Sequence, residues 1–169
     1  TALPTLHASI DGNLVWALLR LGLADERVDY LVARLLRAQW PDGGWNCDRK
    51  ATGHASSVGE SLVPLRALNV HARITGRSDT RDAVVRAAEL FLEHRLFRRL
   101  SNASVIDPSF LQLHFPCYWH YDILMALTVL AEAEMLGDER CVEALEVLES
   151  KQLPDGSWEF PGGSEAAGV

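Results

Sequence analysis

The sequence contains few cysteines and no concentration of basic residues. Three cysteines occur in 169 residues, an odd number at irregular spacing, whereas small disulfide-stapled domains carry a dense and even set. The formal net charge is −7, and no run of Lys or Arg offers the positive surface that phosphate backbones need. A disulfide framework and a nucleic-acid partner are therefore disfavoured. Cys47, Cys117 and Cys141 are expected to be reduced thiols or metal ligands.

Long apolar runs are missing as well. No uninterrupted apolar stretch approaches the roughly 18 to 20 residues that span a bilayer, and Thr1–Asn13 lacks the charged-then-apolar layout of a signal peptide. We therefore expect a cytoplasmic protein without a membrane span. Because 48% of the residues are hydrophobic and 23% are charged, we expect residues 1–169 to form a single domain with one sizeable core.

Two seven-residue segments of the chain nearly duplicate each other. Gln39–Trp45 reads Gln-Trp-Pro-Asp-Gly-Gly-Trp, and Gln152–Trp158 reads Gln-Leu-Pro-Asp-Gly-Ser-Trp. Their separation is too long for one helical repeat and suits two, so a third copy of the unit should lie between them. In both copies the Asp-Gly pair predicts a tight turn at the end of a helix.

A pair of helices is expected in each of the three copies. The first helix of each pair is apolar nearly all round and opens near an acid, at Asp11, Glu60 and Asp122. The second helix carries a polar face, as an outer helix does when one side meets water. We predict these outer helices at 26–38, 80–94 and 139–150, with N-caps at Asp25, Asp79 and Asp138, and with Gly22, Gly76 and Gly137 ending the preceding helices.

The predicted fold is all-α, with three α/α hairpins at 11–45, 58–99 and 118–158. A loop at 100–117 replaces the Gln-to-Trp segment in the middle copy, and residues 161–169 are expected to be a flexible tail. Loops of that length are uncommon unless they are functional. We expect this loop to be ordered because it contains the apolar residues Phe110, Leu111, Leu113 and Phe115.

The Gln-x-x-Asp-Gly-x-Trp motif at the end of an outer helix resembles the QW motif of the terpenoid cyclases and protein prenyltransferases. That superfamily shares an α/α toroid built from such hairpins. The runs Gly43–Cys47 and Trp119–Asp122 also resemble an uncharacterised bacterial prenyltransferase-like branch. The resemblance implies a structural role, tying one outer helix to the next, for Gln39, Trp45, Gln152 and Trp158.

Two features depart from that superfamily. The Asp-x-Asp-Asp signature that carries the proton donor of squalene–hopene cyclases is absent, so cyclisation started by protonation is disfavoured. Three hairpins are also fewer than a closed toroid of this superfamily contains, which implies a partial toroid. Further hairpins outside this sequence, or a second copy in a homo-oligomer, would cover the apolar surface at its ends.

A metal site is one interpretation of the cysteines. Protein prenyltransferases hold zinc with an Asp-x-Cys pair and a distant His, a motif that the adjacent residues Cys47 and Asp48 do not match. Judged by chemistry alone, two thiolates and an imidazole suit tetrahedral zinc, and Cys117 and His120 have i, i+3 spacing. The predicted zinc ligands are Cys47, Asp48, Cys117 and His120, with His54 as the alternative to Asp48. Inert buried cysteines are the competing interpretation.

The acids Asp11, Glu60 and Asp122 are the predicted catalytic residues. In a toroid they would surround one mouth of the central cavity, where they could act as general acids or bind Mg²⁺ on a diphosphate. The competing interpretation is that each acid complements the positive end of its own helix.

Aromatic residues near these acids are predicted to bind the substrate. They are Trp16, Tyr118, Trp119 and Tyr121, joined by His54 in a small-residue segment in which Ser56 or Ser57 is the predicted N-cap of the next helix. Aromatic faces suit an isoprenoid chain and stabilise a carbocation. Aromatic residues at helical spacing are also common in ordinary cores.

Two functions follow from these patterns. The first is a prenyltransferase-like or terpene cyclase-like protein that binds an isoprenoid in a cavity lined by the inner helices. The second is a non-catalytic binding or assembly module that kept the scaffold without the chemistry.

Overall fold

A computed structural model of the chain describes residues 7–47, 55–117 and 120–159. These residues form six α-helices and two short 3₁₀ helices, and they include no β-strand. The α-helices are α1 (Ala8–Arg20), α2 (Glu26–Ala38), α3 (Val58–Thr75), α4 (Ser78–Glu93), α5 (Ile123–Glu132) and α6 (Val142–Ser150). The predicted all-α class and the succession of helix pairs are confirmed. The chain divides into two compact units, Thr1–Leu90 and Phe91–Val169.

The three outer helices begin in different ways. α2 has the predicted bounds, and the Asp25 side chain caps it by accepting a hydrogen bond from the Arg27 N–H at 3.0 Å. α4 begins at Ser78, so Asp79 lies inside its first turn and the predicted N-cap at Asp79 is wrong. The third outer helix opens as a 3₁₀ turn, Glu139–Cys141, which Asp138 caps before the chain continues as α6.

The residues that end the inner helices also differ. Gly22 and Gly76 both have φ +71°, in the left-handed region that favours glycine. In the third hairpin that conformation belongs to Glu134, with φ +62°, and Gly137 does not have a positive φ. The prediction that Gly137 ends its helix is therefore wrong, because the chain leaves α5 through a turn nearer to the helix end.

Close packing of α1 on α3 organises the first unit. A Cβ added to Gly12 in α1 would lie 2.8 Å from the Pro64 nitrogen and 3.0 Å from the Val63 carbonyl carbon. The missing side chain thus lets the two backbones approach. This contact brings the starts of α1 and α3 side by side, which positions the site described below.

The two inner helices of the first unit differ in exposure. α3 buries residues around most of its circumference, including Leu62, Leu65 and Asn69. On α1, Ile10 is 58% exposed and Leu14 is 49% exposed. Since these two residues are four apart, they form one apolar face that no described residue covers.

The second unit packs around Tyr121. The Tyr121 ring stacks on Phe91 at 6.1 Å and meets Phe110 edge-on at 4.5 Å, and its hydroxyl donates a hydrogen bond to the Leu96 carbonyl at 2.5 Å. An ion pair between Arg98 and Glu143 joins α6 to the segment after α4.

The loop at 100–117 contains backbone hydrogen bonds and one short helix. Its first part bridges back to the segment after α4, where the Ile106 N–H donates to the Phe97 carbonyl at 2.9 Å. A 3₁₀ helix follows at Pro108–Leu111, and Leu113 is buried. Phe115 is 80% exposed, so the expectation that it is withdrawn from water is wrong.

None of the helices in the described ranges is long and apolar enough to cross a membrane.

Candidate functional site

The first repeated segment forms a compact turn at the end of α2. The Trp40 N–H donates to the Gly44 carbonyl at 2.8 Å, and the Gly43 N–H donates to the Trp40 carbonyl at 2.9 Å. Gln39 Nε2 donates to the Gly43 carbonyl at 2.7 Å, and Trp45 Nε1 donates to the Leu35 carbonyl at 2.9 Å. The Gln and Trp side chains therefore close the turn on the last residues of the helix.

The second repeated segment makes the same four hydrogen bonds after α6. The Leu153 N–H donates to the Ser157 carbonyl at 2.8 Å, and the Gly156 N–H donates to the Leu153 carbonyl at 2.9 Å. Gln152 Nε2 donates to the Gly156 carbonyl at 3.0 Å, and Trp158 Nε1 donates to the Leu148 carbonyl at 2.9 Å. We call both segments QW turns.

Only the first QW turn is joined to a second outer helix among the described residues. Gln39 Nε2 also donates to the Ala83 carbonyl in α4 at 2.9 Å, and Gln39 Oε1 accepts from Arg86 at 2.5 Å. Trp45 is 1% exposed. In the second turn Gln152 is exposed and Trp158 is only partly buried. Gln39 thus connects α2 to α4, while Gln152 serves its own turn.

Two serines fasten the first QW turn to the start of α3. The Trp45 N–H donates to Ser61 Oγ at 2.8 Å, and the Ser57 N–H donates to the Trp45 carbonyl at 2.8 Å. Ser57 is also the N-cap of α3, as one of the two predicted alternatives, because its Oγ accepts from the Glu60 N–H at 3.4 Å. Cys47, two residues beyond Trp45, is therefore held beside the first turn of α3.

His7, Cys47 and Glu60 come together at this point. One ligand atom from each, an imidazole nitrogen, the Cys47 Sγ and a carboxylate oxygen, lies within 4.8 Å of the other two. His7 is exposed and the other two are half-buried. We call this group the His7 cluster. Within the described ranges it is the only set of three His, Cys, Asp or Glu residues that meets this spacing.

Glu60 is oriented by the neighbouring helix. Its Oε2 accepts hydrogen bonds from the Ser9 N–H at 3.2 Å and from the Ser9 hydroxyl at 2.9 Å. A carboxylate has about four lone-pair sites, so these two bonds fix the group and leave acceptor capacity for a further ligand.

The other predicted metal ligands have different surroundings. The Cys117 Sγ donates to the His120 carbonyl oxygen at 3.1 Å. Burial, reinforced by the Asp122 carboxylate, raises the pKa of Cys117 to about 11, so the group is a thiol at neutral pH. The His120 ring stacks on His114 at 4.1 Å. Asp48 and His54 lie outside the described residues.

Asp122 is engaged at the start of α5. It is 1% exposed, and one carboxylate oxygen accepts from the Met125 N–H at 2.8 Å as the N-cap of α5. The other oxygen accepts from the His114 N–H at 2.8 Å and lies 3.2 Å from His114 Nδ1. This carboxylate therefore holds the end of the long loop against α5.

Asp11 lies between the two helices of the first hairpin. It is the fourth residue of α1 and is buried, and its Oδ2 lies 3.1 Å from the Arg34 guanidinium of α2. The pKa of Asp11 is raised because burial outweighs the attraction of Arg34. Asp11, Glu60 and Asp122 thus stand at different helix positions, and each has a different partner.

The predicted aromatic residues divide into two described positions and two that the structure does not describe. Tyr121 is a core residue, and burial raises its pKa well above its usual range. Trp16 is half-buried on α1, and the Arg66 guanidinium of α3 lies 4.6 Å from its ring centre. Tyr118 and Trp119 lie outside the described residues.

A small pocket lies at the opposite end of the inner helices of the first unit. It has a volume of about 140 Å³ and is lined by Leu19, Val28, His71 and Ile74 among others. His71 is 1% exposed, and its Nε2 accepts or donates no hydrogen bond among the described residues. The volume is below the roughly 300 to 1,000 Å³ of ordinary ligand pockets, so this pocket is too small for a long isoprenoid.

Sequence reasoning missed His7, Ser9 and His114. His7 was not part of any motif, and its role depends on the packing of α1 on α3. Ser9 binds Glu60, which is distant in sequence, and His114 binds Asp122 from an irregular loop. The spacing of residues along the sequence therefore gave no signal for either contact. Comparison of the chain with protein-family models, with curated proteins and with solved structures finds no match to any of them.

Proposed function

We propose that this chain is a cytoplasmic α/α-hairpin protein of the terpenoid cyclase and protein prenyltransferase type, which binds an isoprenoid along its inner helices. The observation that carries the proposal is the identity of the four hydrogen bonds in the two QW turns. Two segments far apart in sequence build the same structure after an outer helix, which is the feature on which the resemblance to that superfamily rests.

The Trp16 and Arg66 pair supports the ligand class. Trp16 is a half-buried aromatic residue of α1, and the Arg66 guanidinium of α3 lies over one face of its ring, 4.6 Å from the ring centre. An aromatic face suits an unsaturated apolar chain, and a guanidinium suits a diphosphate because it binds phosphate oxygens in pairs. A prenyl diphosphate combines both groups in one molecule.

Among the predicted acids, Glu60 is the strongest candidate for a direct role in chemistry. Asp11 and Asp122 are 6% and 1% exposed; Asp11 is paired with the Arg34 guanidinium, and Asp122 accepts hydrogen bonds from the start of α5 and the end of the long loop. Glu60 is half-buried and already oriented by Ser9. We assign no reaction to it.

The test is binding of farnesyl diphosphate by calorimetry and by thermal unfolding. We expect saturable binding and a higher Tm, with affinity about tenfold lower in Trp16→Ala, a change of about 1.4 kcal/mol. Trp16→Phe keeps an aromatic face and should retain most of the affinity. Arg66→Ala should weaken farnesyl diphosphate more than farnesol, which lacks the diphosphate.

Tyr30→Ala is the matched control for Trp16→Ala. Tyr30 is also an aromatic residue beside a guanidinium, with Arg34 at 5.8 Å from its ring centre, but it is 60% exposed on the outer helix α2. Its removal should leave binding unchanged. Equal losses in the two variants, or no binding of farnesyl diphosphate to the wild-type chain, would contradict the proposal.

The second candidate function is an assembly module, and the apolar face of α1 favours it. Ile10 and Leu14 are largely exposed together on this face, and such faces mark interaction sites when they are contiguous. If the module assembles through this face, we expect the wild-type chain to sediment as an oligomer and Leu14→Glu to sediment as a monomer. Leu100→Glu, at a 63% exposed position in the long loop, is the control that should leave the mass unchanged.

A further inference from the structure

We propose that the His7 cluster is a zinc site, with His7, Cys47 and Glu60 as its three protein ligands. This ligand set differs from the one predicted from the sequence, since it keeps Cys47 and replaces its partners. The inference does not depend on isoprenoid binding. It rests on the geometry of the cluster, on its donor atoms and on the contacts that hold each ligand.

The donor atoms select the metal. Mg²⁺ and Ca²⁺ take oxygen ligands almost exclusively, whereas zinc accepts thiolate sulfur, imidazole nitrogen and carboxylate oxygen in the same site. The His7 cluster offers one of each. A mixed set of this kind therefore favours zinc over the magnesium that three carboxylates would have suggested.

The distances fit a tetrahedral ion after small side-chain rotations. Zinc bonds of about 2.0 to 2.3 Å place two ligand atoms less than about 4 Å apart, and the three atoms already lie within 4.8 Å of one another. His7 is exposed, so its ring can rotate toward the other two ligands without disturbing the core.

Each ligand is held by its own structural contact. His7 is the residue that precedes α1, and the packing of Gly12 on Pro64 fixes this helix against α3. Cys47 follows Trp45, which Ser61 anchors. Glu60 lies in the first turn of α3 and is oriented by Ser9.

Ser9 supplies the outer hydrogen bonds that metal sites need. Carboxylate ligands are themselves hydrogen-bonded in such sites, and loss of these partners typically lowers metal affinity 10- to 100-fold. Ser9 contributes two bonds to Glu60 Oε2 through its N–H and its hydroxyl. Ser9 is therefore a positioning residue for the metal.

A tetrahedral zinc ion takes four ligands, and His7, Cys47 and Glu60 supply three of them from the described residues.

The experiment measures metal binding to the full chain after removal of metal with a chelator. Zinc is titrated back in competition with a chromophoric chelator, and Co²⁺ is used as a spectroscopic probe. We expect about one ion per chain and a thiolate-to-cobalt charge-transfer band. His7→Ala, Cys47→Ser and Glu60→Gln should each lower affinity more than tenfold, and only Cys47→Ser should abolish that band while d–d absorption persists at high Co²⁺.

Cys117→Ser is the matched control for Cys47→Ser, and it separates the two ligand sets. It should leave zinc affinity and the cobalt spectrum unchanged. Ser9→Ala should weaken zinc about 10- to 100-fold with the charge-transfer band intact. Helix content measured by circular dichroism should be the same in all variants, which shows that loss of metal is not loss of fold.

Three results would overturn the assignment. The first is a chain that binds neither Zn²⁺ nor Co²⁺ at micromolar concentrations. The second is stoichiometric binding that survives both His7→Ala and Glu60→Gln with unchanged affinity. The third is loss of zinc binding in Cys117→Ser, which would support the ligand set expected from the sequence, in which Cys47 and Cys117 bind the same ion.

Discussion

The Cα of Gly43 lies directly against the backbone carbonyl of Arg86. A Cβ added to Gly43 would be 2.1 Å from the Arg86 oxygen, and the residue has φ +94°. The first QW turn is therefore seated on α4 through backbone as well as through Gln39. Gly156, the corresponding residue of the second turn, has φ +85° and only the Gln152 side-chain nitrogen near its added Cβ, at 3.9 Å.

Gly43→Ala should destabilise the protein far more than Gly156→Ala. Both substitutions place alanine at a positive φ, which costs about 1 kcal/mol or somewhat more. Only Gly43→Ala also forces α4 away from the turn, so we expect a total loss of about 3 kcal/mol or more. Urea unfolding of the two variants measures the difference. Equal losses would show that α4 is not seated on the turn.

Asp122→Ala should destabilise the second unit, whereas Asp122→Asn should be much milder. Alanine removes the cap of α5 and the acceptor for the His114 N–H, and cap loss alone costs about 1 kcal/mol. Asparagine keeps an oxygen for the Met125 N–H. The free energy of unfolding distinguishes the two variants. A structural role for Asp122 requires that Asp122→Ala lower the free energy of unfolding more than Asp122→Asn does.

Arg34→Met should destabilise the first hairpin, and Asp11→Asn should relieve that loss. Arg34 is the cation beside the buried Asp11 carboxylate, so its removal leaves an unpaired charge, at a cost of about 1 kcal/mol for this partly exposed pair. The double variant should recover most of the loss because asparagine is neutral. A double-mutant cycle by chemical unfolding measures the coupling. Additive effects would mean that the pair does not interact.

The pH dependence of stability should contain a contribution from His71. Burial, with help from Arg77, lowers the pKa of His71, against the opposing charges of Asp29 and Asp79. Below the unfolded pKa of about 6.5, the unfolded chain binds a proton that the folded chain does not. The free energy of unfolding should therefore fall as the pH drops below about 6.5, until the lowered folded pKa is reached.

His71→Asn is the variant that tests this contribution. Its free energy of unfolding should depend less on pH between about pH 7 and pH 5 than that of the wild type, by up to about 1.4 kcal/mol per pH unit. Identical pH profiles for wild type and His71→Asn would refute the assignment.

Much of the fold could be predicted because the relevant signals are local. Asp25 caps α2 and Ser57 caps α3, as their residue types indicated, and Asp-Gly made a tight turn in both QW segments. Asp79 is not a cap because α4 begins at Ser78, two residues before the predicted start, which places Asp79 inside the first turn. The prediction that Phe115 is buried was wrong, because an apolar side chain is buried only where a neighbouring surface covers it.

The candidate site was only partly accessible to sequence reasoning. Cys47 was recognisable as a soft metal ligand, and Glu60 as an acid at a helix start. Their association with His7 depends on how closely α1 approaches α3, which in turn depends on the absence of a side chain at Gly12. The spacing of residues along the sequence cannot reveal this cluster, because tertiary packing brings its three residues together from separate segments.

Each QW turn closes its four bonds within one short stretch of chain, from the last turn of a helix to the Trp ten residues further on. Such bonds carry little loop-closure entropy. The turn at Gln39 can therefore form before α4 is in place and can offer that helix a finished surface on which to dock. Contacts that are local in sequence form faster than long-range ones, so each turn is suited to early formation.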